Sequence, residues 1–479
     1  MGSNVPDPLS QVTFSNVIGG GPRGASKEEG QSHQVEDPRT EAALWDAPVA
    51  SAQDLDDAVE AGHAAFKTWG KSTLAERAGV LNAVAKVLYD NDELLTVILM
   101  RETGKSRIMA HMEVQRAAFH YDQGPARRRD PVRRRRHPNH RHPRALRRHR
   151  RHLPWNFPLI LSSVKVASAL ATGNCVIIKP SPFTPYAILK FCELAQAALP
   201  ARGIFQALNG GADVGERMTL HQGIAHISFT GTIAVGQRIM ANCASTLKKV
   251  ILELAGNDAA IVTDDVDLDA VVPKVALGCL LHAGQMCVAT KRLYVHASRY
   301  DAFVAAFRAH LEKTYVATYE DADAPSVFGP LSNRPNLRPL PRVRGGLSEE
   351  RVRGHYGWRR RRAGEEGALD GADYYRESAG GFARGPVVPI MKWTDESDVI
   401  ARANLDNAGL GASIWCRDAD RARKLARQLE TGTVFINQPP QPHHAGYFAG
   451  QKLSGVGGEL GKQGLLSYCQ TKSLHIGKK

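Results

Sequence analysis

Between residues 160 and 263 of this 479-residue chain, helical stretches alternate with short apolar runs, and no other feature restricts the fold as much. Ile160 to Gly173 has helical character and leads into Asn174-Cys175-Val176-Ile177-Ile178-Lys179-Pro180, an apolar strand ended by proline. Pro185 to Leu199 then predicts a helix, and Gly203 to Leu208 another strand. Strands without a polar face belong to parallel βαβ units whose sheet is covered on both sides. A second block opens with a helix near Val266, passes Cys287 and continues as the strand Arg292 to Val295 and the helix Tyr300 to Thr314. It resumes at Gly385-Pro386-Val387-Val388-Pro389-Ile390, followed by a helix over Asp418 to Leu429 and a strand over Gly432 to Asn437. Upstream, Ser51 to Trp69, Ala75 to Leu95 and Arg107 to Tyr121 carry apolar residues at helical spacing. The expected class is α/β, with two doubly wound parallel-sheet domains and a functional site between them.

At roughly 150 residues per domain, a chain of this length exceeds one ordinary core. Its cysteines, Cys175, Cys192, Cys243, Cys279, Cys287, Cys416 and Cys469, are odd in number and widely spaced and form no C-x-x-C pair. That pattern argues against a disulfide framework and against a metal site, and for a reducing compartment. The opening MGSNVPDPLS lacks a basic-then-apolar signal, and no run reaches the ~18 apolar residues of a membrane helix. Pro6 stands where a myristoylation signal needs Ser or Thr, and the terminal GKK is no peroxisomal address. A cytoplasmic chain with no membrane partner is expected.

The formal charge of +14 would ordinarily point to nucleic acid or an anionic surface. It is concentrated, however, in two segments. Residues 127 to 151 hold 13 Arg, one Asp and no Lys; residues 336 to 384 hold 11 Arg and 7 acidic residues, again without Lys. Neither shows apolar periodicity, and both begin and end abruptly against well-patterned sequence. An Arg-rich, Lys-free composition is what a GC-rich coding stretch read in a shifted frame produces, and that is the preferred reading of both. A basic arm binding RNA or DNA through counterion release competes with it. No aromatic residues interleave the first run and no recognition fold flanks it, so nucleic acid is not the expected partner and a disordered loop fits better.

Three motifs carry the chemistry: Pro154-Trp155-Asn156-Phe157-Pro158, Leu252-Glu253-Leu254-Ala255-Gly256 and Gly284-Gln285-Met286-Cys287. Taken singly, Cys287 reads as a small buried hydrophobe, Glu253 as a strand-end charge and Asn156 as a turn residue. Their order and context speak otherwise, since together they supply a nucleophile, an oxyanion donor and a base. A fourth motif, Phe229-Thr230-Gly231-Thr232-Ile233-Ala234-Val235-Gly236, follows the strand-like Ala225 to Ser228 and places a glycine turn where a helix N-terminus can face phosphate. It reads G-x-x-x-x-G, which alone signals turn chemistry more often than cofactor binding.

In this arrangement the chain resembles the NAD(P)-dependent aldehyde dehydrogenases from about Val35 to Ile476. Glu102-Thr103-Gly104-Lys105, Tyr447-Phe448-Ala449-Gly450-Gln451-Lys452-Leu453-Ser454-Gly455, Glu459-Leu460-Gly461 and Tyr468-Cys469-Gln470-Thr471-Lys472 extend the likeness. The resemblance implies Cys287 as nucleophile, the Asn156 amide and the Cys287 N–H as oxyanion hole, and Glu253 as general base. It implies oxidation of an aldehyde to its acid through a thiohemiacetal and a thioester, with hydride passing to NAD or NADP. Glu253 favours hydrolysis of that thioester over transfer to coenzyme A. Cofactor contacts carry over to Trp155, Lys179, Gly211, Gly215, Phe229, Gly231, Thr232, Gly236 and Leu254. Pro182 stands where many NAD-preferring members have Glu, which leaves NADP open.

The resemblance further implies a Rossmann-like cofactor domain from residues 1–121 and 154–253 and a catalytic domain from 254–450. An oligomerisation arm from 122–153 and 451–479 would support a homodimer or homotetramer. The chain departs from the family twice. The ribose-binding E-x-F-G-P motif resumes only at Gly385-Pro386, with Phe382 and Arg384 at its Glu and Phe positions, so a catalytically impaired homologue is the alternative. His149-Arg150-Arg151-His152-Leu153 is too charged for a buried parallel strand, so no strand is expected there and Asn156 should lose part of its support.

Overall fold

A computed structural model describes residues 9, 12–25, 31–122, 142–145, 149–152, 154–316, 326–333, 385–386 and 388–477, with the backbone alone for 142–145 and 149–152. Most of the two Arg-rich segments, with Phe382 and Arg384, lies outside the described residues.

Two sheets dominate. The larger runs in the order Gly455–Val456, Lys249–Glu253, His226–Thr230, His149–His152, Val176–Lys179, Phe205–Ala207, Asn16–Ile18, Gly21–Arg23. Its five central strands are parallel, and antiparallel strands close both edges. The smaller sheet, in the order Ile390–Trp393, Thr290–His296, Asp258–Val262, Gly411–Trp415, Thr433–Ile436, is parallel throughout.

Apolar residues on both faces of the smaller sheet explain its uninterrupted hydrophobic strands. Ala260, Val262, Leu293 and Val295 pack with Val272, Val275 and Phe303 on one side. Their neighbours Ala259, Ile261, Tyr294, Ala412 and Ile414 pack with Val399 and Leu425 on the other. The period of two along each strand thus feeds two separate cores.

The strand His149–His152 corrects the expectation that the charged run could not pair. Its backbone lies between two parallel neighbours, with His149 in register with Val176 on one side and His226 on the other. The ladder is made by main-chain N–H and C=O groups, which Arg and His carry as Val does, and without this strand two central strands would face each other unpaired. His142–Ala145 likewise pairs antiparallel with Cys469–Lys472, so these two parts of the first Arg-rich segment are strands and not a loop.

The helix over 52–69 begins as its sequence implies. The Ser51 hydroxyl accepts from Asp54 N (3.1 Å), and the Asp54 carboxylate accepts from Ser51 N (2.9 Å), a reciprocal cap. The expected Ala75–Leu95 helix is instead two, Leu74–Asp90 and Asp92–Thr103. Asn91 leaves helical geometry between them (φ −113°, ψ 23°), and its amide donates to the Val87 carbonyl at 2.8 Å, ending the first helix locally.

The edge strand Gly455–Val456 brings the C-terminal segment against Leu252 and Glu253. A Cβ on Gly455 would lie 2.1 Å from the Leu252 carbonyl oxygen, so the ladder needs glycine there. Gly455→Ala is expected to lower stability by about 1–3 kcal/mol through this overpacking. Comparing urea midpoints of the two proteins checks it, and equal midpoints would show that the edge strand is not held as described.

Candidate active site

The parallel strands of the large sheet end on one line, and the candidate residues sit along it. Glu253 ends Lys249–Glu253, Thr230 ends His226–Thr230, Trp155 and Asn156 follow His149–His152, Lys179 ends Val176–Lys179, and Gly211 follows Phe205–Ala207. Carboxyl ends of parallel strands are where α/β sheets gather ligands, because the chain there turns into helix N-termini. Leu254 to Asn257 then crosses to Asp258, the first residue of the small sheet's central strand. Cys287 precedes the next strand of that sheet, so the two sheets meet at the site.

Asn156 is fixed by three hydrogen bonds. Its side-chain amide donates to the Gln285 carbonyl (2.8 Å), and its side-chain oxygen accepts from Phe157 N (3.1 Å). Its backbone carbonyl accepts from Lys105 Nζ at 2.6 Å. Lys105 also forms a fully buried ion pair with Glu113, whose other oxygen accepts from Leu159 N at 2.9 Å, at the start of helix Pro158–Ala171. The Lys105 ammonium lies 4.1 Å from the centre of the Phe157 ring. Lys105 and Glu113 therefore grip both sides of the asparagine turn, and the loss of support expected from the upstream charges does not occur. The E-T-G-K match had singled out Lys105 without a role, and nothing in the sequence marked Glu113.

Cys287 is half-buried. The turn before it is unusual, with His282 (φ 53°), Ala283 (φ 54°) and Gly284 (φ 68°) all left-handed. This conformation is over-determined: His282 N donates to Val327 O (2.8 Å), and the Gln285 side-chain amide donates to the carbonyls of His282 and Pro330, both at 3.0 Å. His282 is buried, with its ring against Phe157 (5.6 Å between ring centres), and burial holds its pKa well below the usual value, so it stays neutral. Cys287 shares a narrow cavity with Pro154, Trp155, Asn156, Thr230, Gly231, Ala255, Gly256, Gln285, Met286 and Lys291. Nucleophile and asparagine are thus brought together, while Glu253 stands behind Thr230 and Ala255 and does not line this cavity.

Glu253 belongs to a buried network that the motifs did not reveal. Its carboxylate accepts from the Thr230 hydroxyl (3.0 Å) and pairs with Lys165 at 3.6 Å. Lys165 donates to Ser228 Oγ (2.7 Å) and to Glu459 (2.9 Å), and the Tyr468 hydroxyl donates to Glu459 at 2.6 Å. Burial pushes the Glu253 pKa up to about 7, opposed by Lys165 and reinforced by Glu459. One signal was available: Lys165 is the single charged residue in the helix Pro158–Ala171, and a lone charge on an apolar helix needs a buried partner.

The remaining candidates line the same row. Lys179 is buried, donates to the carbonyls of Pro180 (2.9 Å) and Gly210 (2.6 Å), and keeps one N–H for a ligand. Burial lowers its pKa to about 8, against the pull of Asp213. Gly211 caps the helix Ala212–Leu220, in which Gly215 is buried. Thr232 caps the helix Ile233–Ala244, and its hydroxyl accepts from Val235 N. A Cβ on Gly231 would stand 2.4 Å from the Phe229 ring and one on Gly236 2.6 Å from the Leu254 side chain, so a larger residue at either place would displace those side chains. A dinucleotide fits this row: two helix N-termini facing out for phosphate, and a buried lysine with a donor to spare. Among the described residues no cluster could hold a metal ion.

A two-sheet α/β chain with such a row falls in the class of nicotinamide-dependent oxidoreductases. The aldehyde dehydrogenase family model matches residues 25–474, and the chain belongs to that family. It is 37% identical to an aldehyde dehydrogenase from a Fusarium species, over 98% of this chain and 99% of that one. With lactaldehyde dehydrogenase of Escherichia coli it shares 30%, over 92% and 94%. Among solved structures, an aldehyde dehydrogenase from Brucella melitensis matches with a TM-score of 0.87 at 28% identity, covering 98% of both chains. Betaine aldehyde dehydrogenase from Staphylococcus aureus in complex with NAD+ matches at 0.87 and 25%, covering 97% and 95%. The protein is therefore an NAD(P)-dependent oxidoreductase of aldehydes.

Removing Lys105 would leave Glu113 as an uncompensated buried charge. Lys105→Met should lower stability by about 3–5 kcal/mol, read from denaturant unfolding. A loss below about 1 kcal/mol would be incompatible with the buried pair.

Proposed function

We propose that Cys287, Asn156 and Glu253 carry out the oxidation, on a substrate carbonyl admitted to the cavity that Cys287 and Asn156 border and that Glu253 adjoins through Thr230. The observation that carries this reading is the shared cavity of Cys287 and Asn156, with Glu253 one residue beyond its wall. The Cys287 thiolate adds to the carbonyl carbon, and the oxyanion receives the second N–H of the Asn156 amide and the Cys287 backbone N–H. The first N–H of that amide is committed to Gln285, which aims the second. When bound, the nicotinamide cofactor supplies the hydride acceptor. Loss of hydride from the former carbonyl carbon leaves a thioester on Cys287. Glu253 takes a proton from water, the hydroxide adds to the thioester, and the thiolate departs with release of the acid.

For the cofactor, Lys179 and the turns at Gly211 and Gly231–Thr232 are the proposed holders of the adenosine and phosphate end, with Gly215 and Gly236 giving close packing. Trp155, Phe229 and Leu254 form apolar walls. Residues 1–121 and 154–253 would make the cofactor domain and 254–450 the catalytic domain. The ribbon of His142–Ala145 and Cys469–Lys472 stands apart from both large sheets and suits the oligomerisation arm, composed of 122–153 and 451–479, of a homodimer or homotetramer. No disulfide joins any of the seven cysteines, which supports the reducing, cytoplasmic location we propose.

Two experiments test the reading. Reduced-nicotinamide absorbance with a panel of aldehydes and NAD or NADP should be abolished in Cys287→Ala, while retained turnover in that variant would remove Cys287 from the reaction. Glu253→Gln should release a burst of about one reduced cofactor per active site and then slow by on the order of 100-fold or more, because acylation survives and hydrolysis does not. In the unaltered enzyme the hydrolytic step needs the carboxylate form. With the Glu253 pKa raised to about 7, its rate should climb as pH rises through that value and level off above it. Single-turnover hydrolysis of the acylated enzyme measures this, and a rate that stays flat from about pH 5.5 to 8.5 would exclude Glu253 as the base.

A further inference from the structure

Of the residues lining the Cys287 cavity, Lys291 alone bears a formal charge. It is buried, and its ammonium donates to the carbonyls of Gly284 and Gly385, both at 2.8 Å. Carbonyl acceptors favour the charged form of an amine over the neutral one. Gly284 admits this group: a Cβ there would lie 2.8 Å from Lys291 Nζ, so the glycine of the nucleophile turn makes room for the cation. The turn itself is drawn in close, since a Cβ on Gly256 would stand 2.8 Å from the Cys287 carbonyl oxygen.

We propose that Lys291 is the electrostatic partner of Cys287, holding the nucleophile as its thiolate while anchoring the left-handed turn through Gly284. This rests on Cys287 being the nucleophile. A thiol at its unperturbed pKa of about 8.5 is mostly protonated at neutral pH, so attack needs a nearby positive charge or an equivalent donor. Among the described residues, the other ionisable groups packed around this corner are otherwise engaged, Lys105 being paired with Glu113 and bonded to the Asn156 carbonyl. His282 is held neutral by burial. Asp258 is pushed well above the usual carboxylate range by burial, and Cys279 up to about 12. The Arg292 guanidinium is turned to the carbonyls of Asn257, Arg402 and Ala403. Glu253, when ionised, opposes a thiolate. Lys291 also acts on both Asp258 and Cys279, in each case favouring the anion, so its field spans the corner.

The test is the pH dependence of iodoacetamide alkylation at Cys287, followed on its peptide by mass spectrometry so that the other six cysteines do not contribute. It uses the full chain without cofactor. The unaltered protein should show a midpoint below about 8. Lys291→Met and Lys291→Gln should each raise it by at least about one pH unit, a roughly tenfold smaller thiolate fraction at neutral pH. Lys291→Arg should stay within about 0.3 unit. The same shift in a Glu253→Gln background keeps the effect apart from that carboxylate. Midpoints unmoved in folded Met and Gln variants would reduce Lys291 to an anchor. A midpoint at or above about 8.5 in the unaltered protein would overturn the proposal without any variant, should the substitutions unfold the chain. If full alkylation of Cys287 leaves aldehyde oxidation intact, it is the nucleophile reading that fails, whatever the midpoints show.

Discussion

The corner of the molecule that does chemistry depends on one buried ammonium, that of Lys165. An isolated charge at that depth would be prohibitively unfavourable, and the chain meets it with two carboxylates from distant parts of the sequence, Glu253 at 3.6 Å and Glu459 at 2.9 Å. The shorter pair, bonded also to Ser228 and Tyr468, is close to self-neutralising. Glu253 is then the excess negative charge of the trio, and excess charge in a low-dielectric site is relieved by holding the proton more tightly. Its pKa is raised first by burial and further by Glu459, while Lys165 holds it down, and the outcome puts the proposed general base near neutrality, where a base is most useful. The same network fastens the C-terminal segment to the large sheet through Glu459 and Tyr468, so stability and basicity share one set of contacts.

A second constraint is conformational. Three successive left-handed residues, two of them not glycine, would each be unfavourable in isolation, and they persist because hydrogen bonds from other elements leave no alternative. Gln285 is the hub. Its side chain ties the turn to Pro330, its side-chain oxygen accepts from Ser332 N (2.9 Å), and its carbonyl receives the Asn156 amide. A displacement of the cysteine turn would therefore displace the asparagine too. Cys287 and Asn156, the proposed nucleophile and oxyanion donor, are one mechanical unit, although they belong to different sheets.

Sequence reasoning located this unit better than it explained it. Alternation of helix and apolar strand gave the two parallel sheets because buried strands must be apolar on both faces, and the order and context of the motifs, with the family resemblance they carry, marked Asn156, Glu253 and Cys287. What stayed hidden was set by long-range pairing: Glu113 with Lys105, Lys165 with Glu459, Gln285 with Asn156. Apart from Lys165, the lone charge of an apolar helix, none of these has a local signature, since each partner reads by itself as an ordinary surface group. The split of 74–103 into two helices was missed for a related reason, because Asn91 ends a helix by bonding its own preceding turn and not by breaking the apolar period. Gly231 and Gly236 also meet close packing from Phe229 and Leu254, which the turn pattern does not record.

The charged strand His149–His152 shows how far the site is insulated from the side chains that precede it. Its backbone pairs with Val176–Lys179 and His226–Thr230, and this ladder fixes where the chain emerges at Pro154. From there the position of Asn156 is settled by Lys105 at its carbonyl, Gln285 at its amide and Glu113 at the first turn of the following helix. None of these lies in the Arg-rich segment. Sequence upstream of Pro154 can therefore depart from the family without moving Asn156, provided that the four-residue ladder forms. The departure before Gly385 has no such insulation, because the Gly385 carbonyl is itself an acceptor for Lys291. A change in the course of the chain there reaches the cysteine turn through a single hydrogen bond.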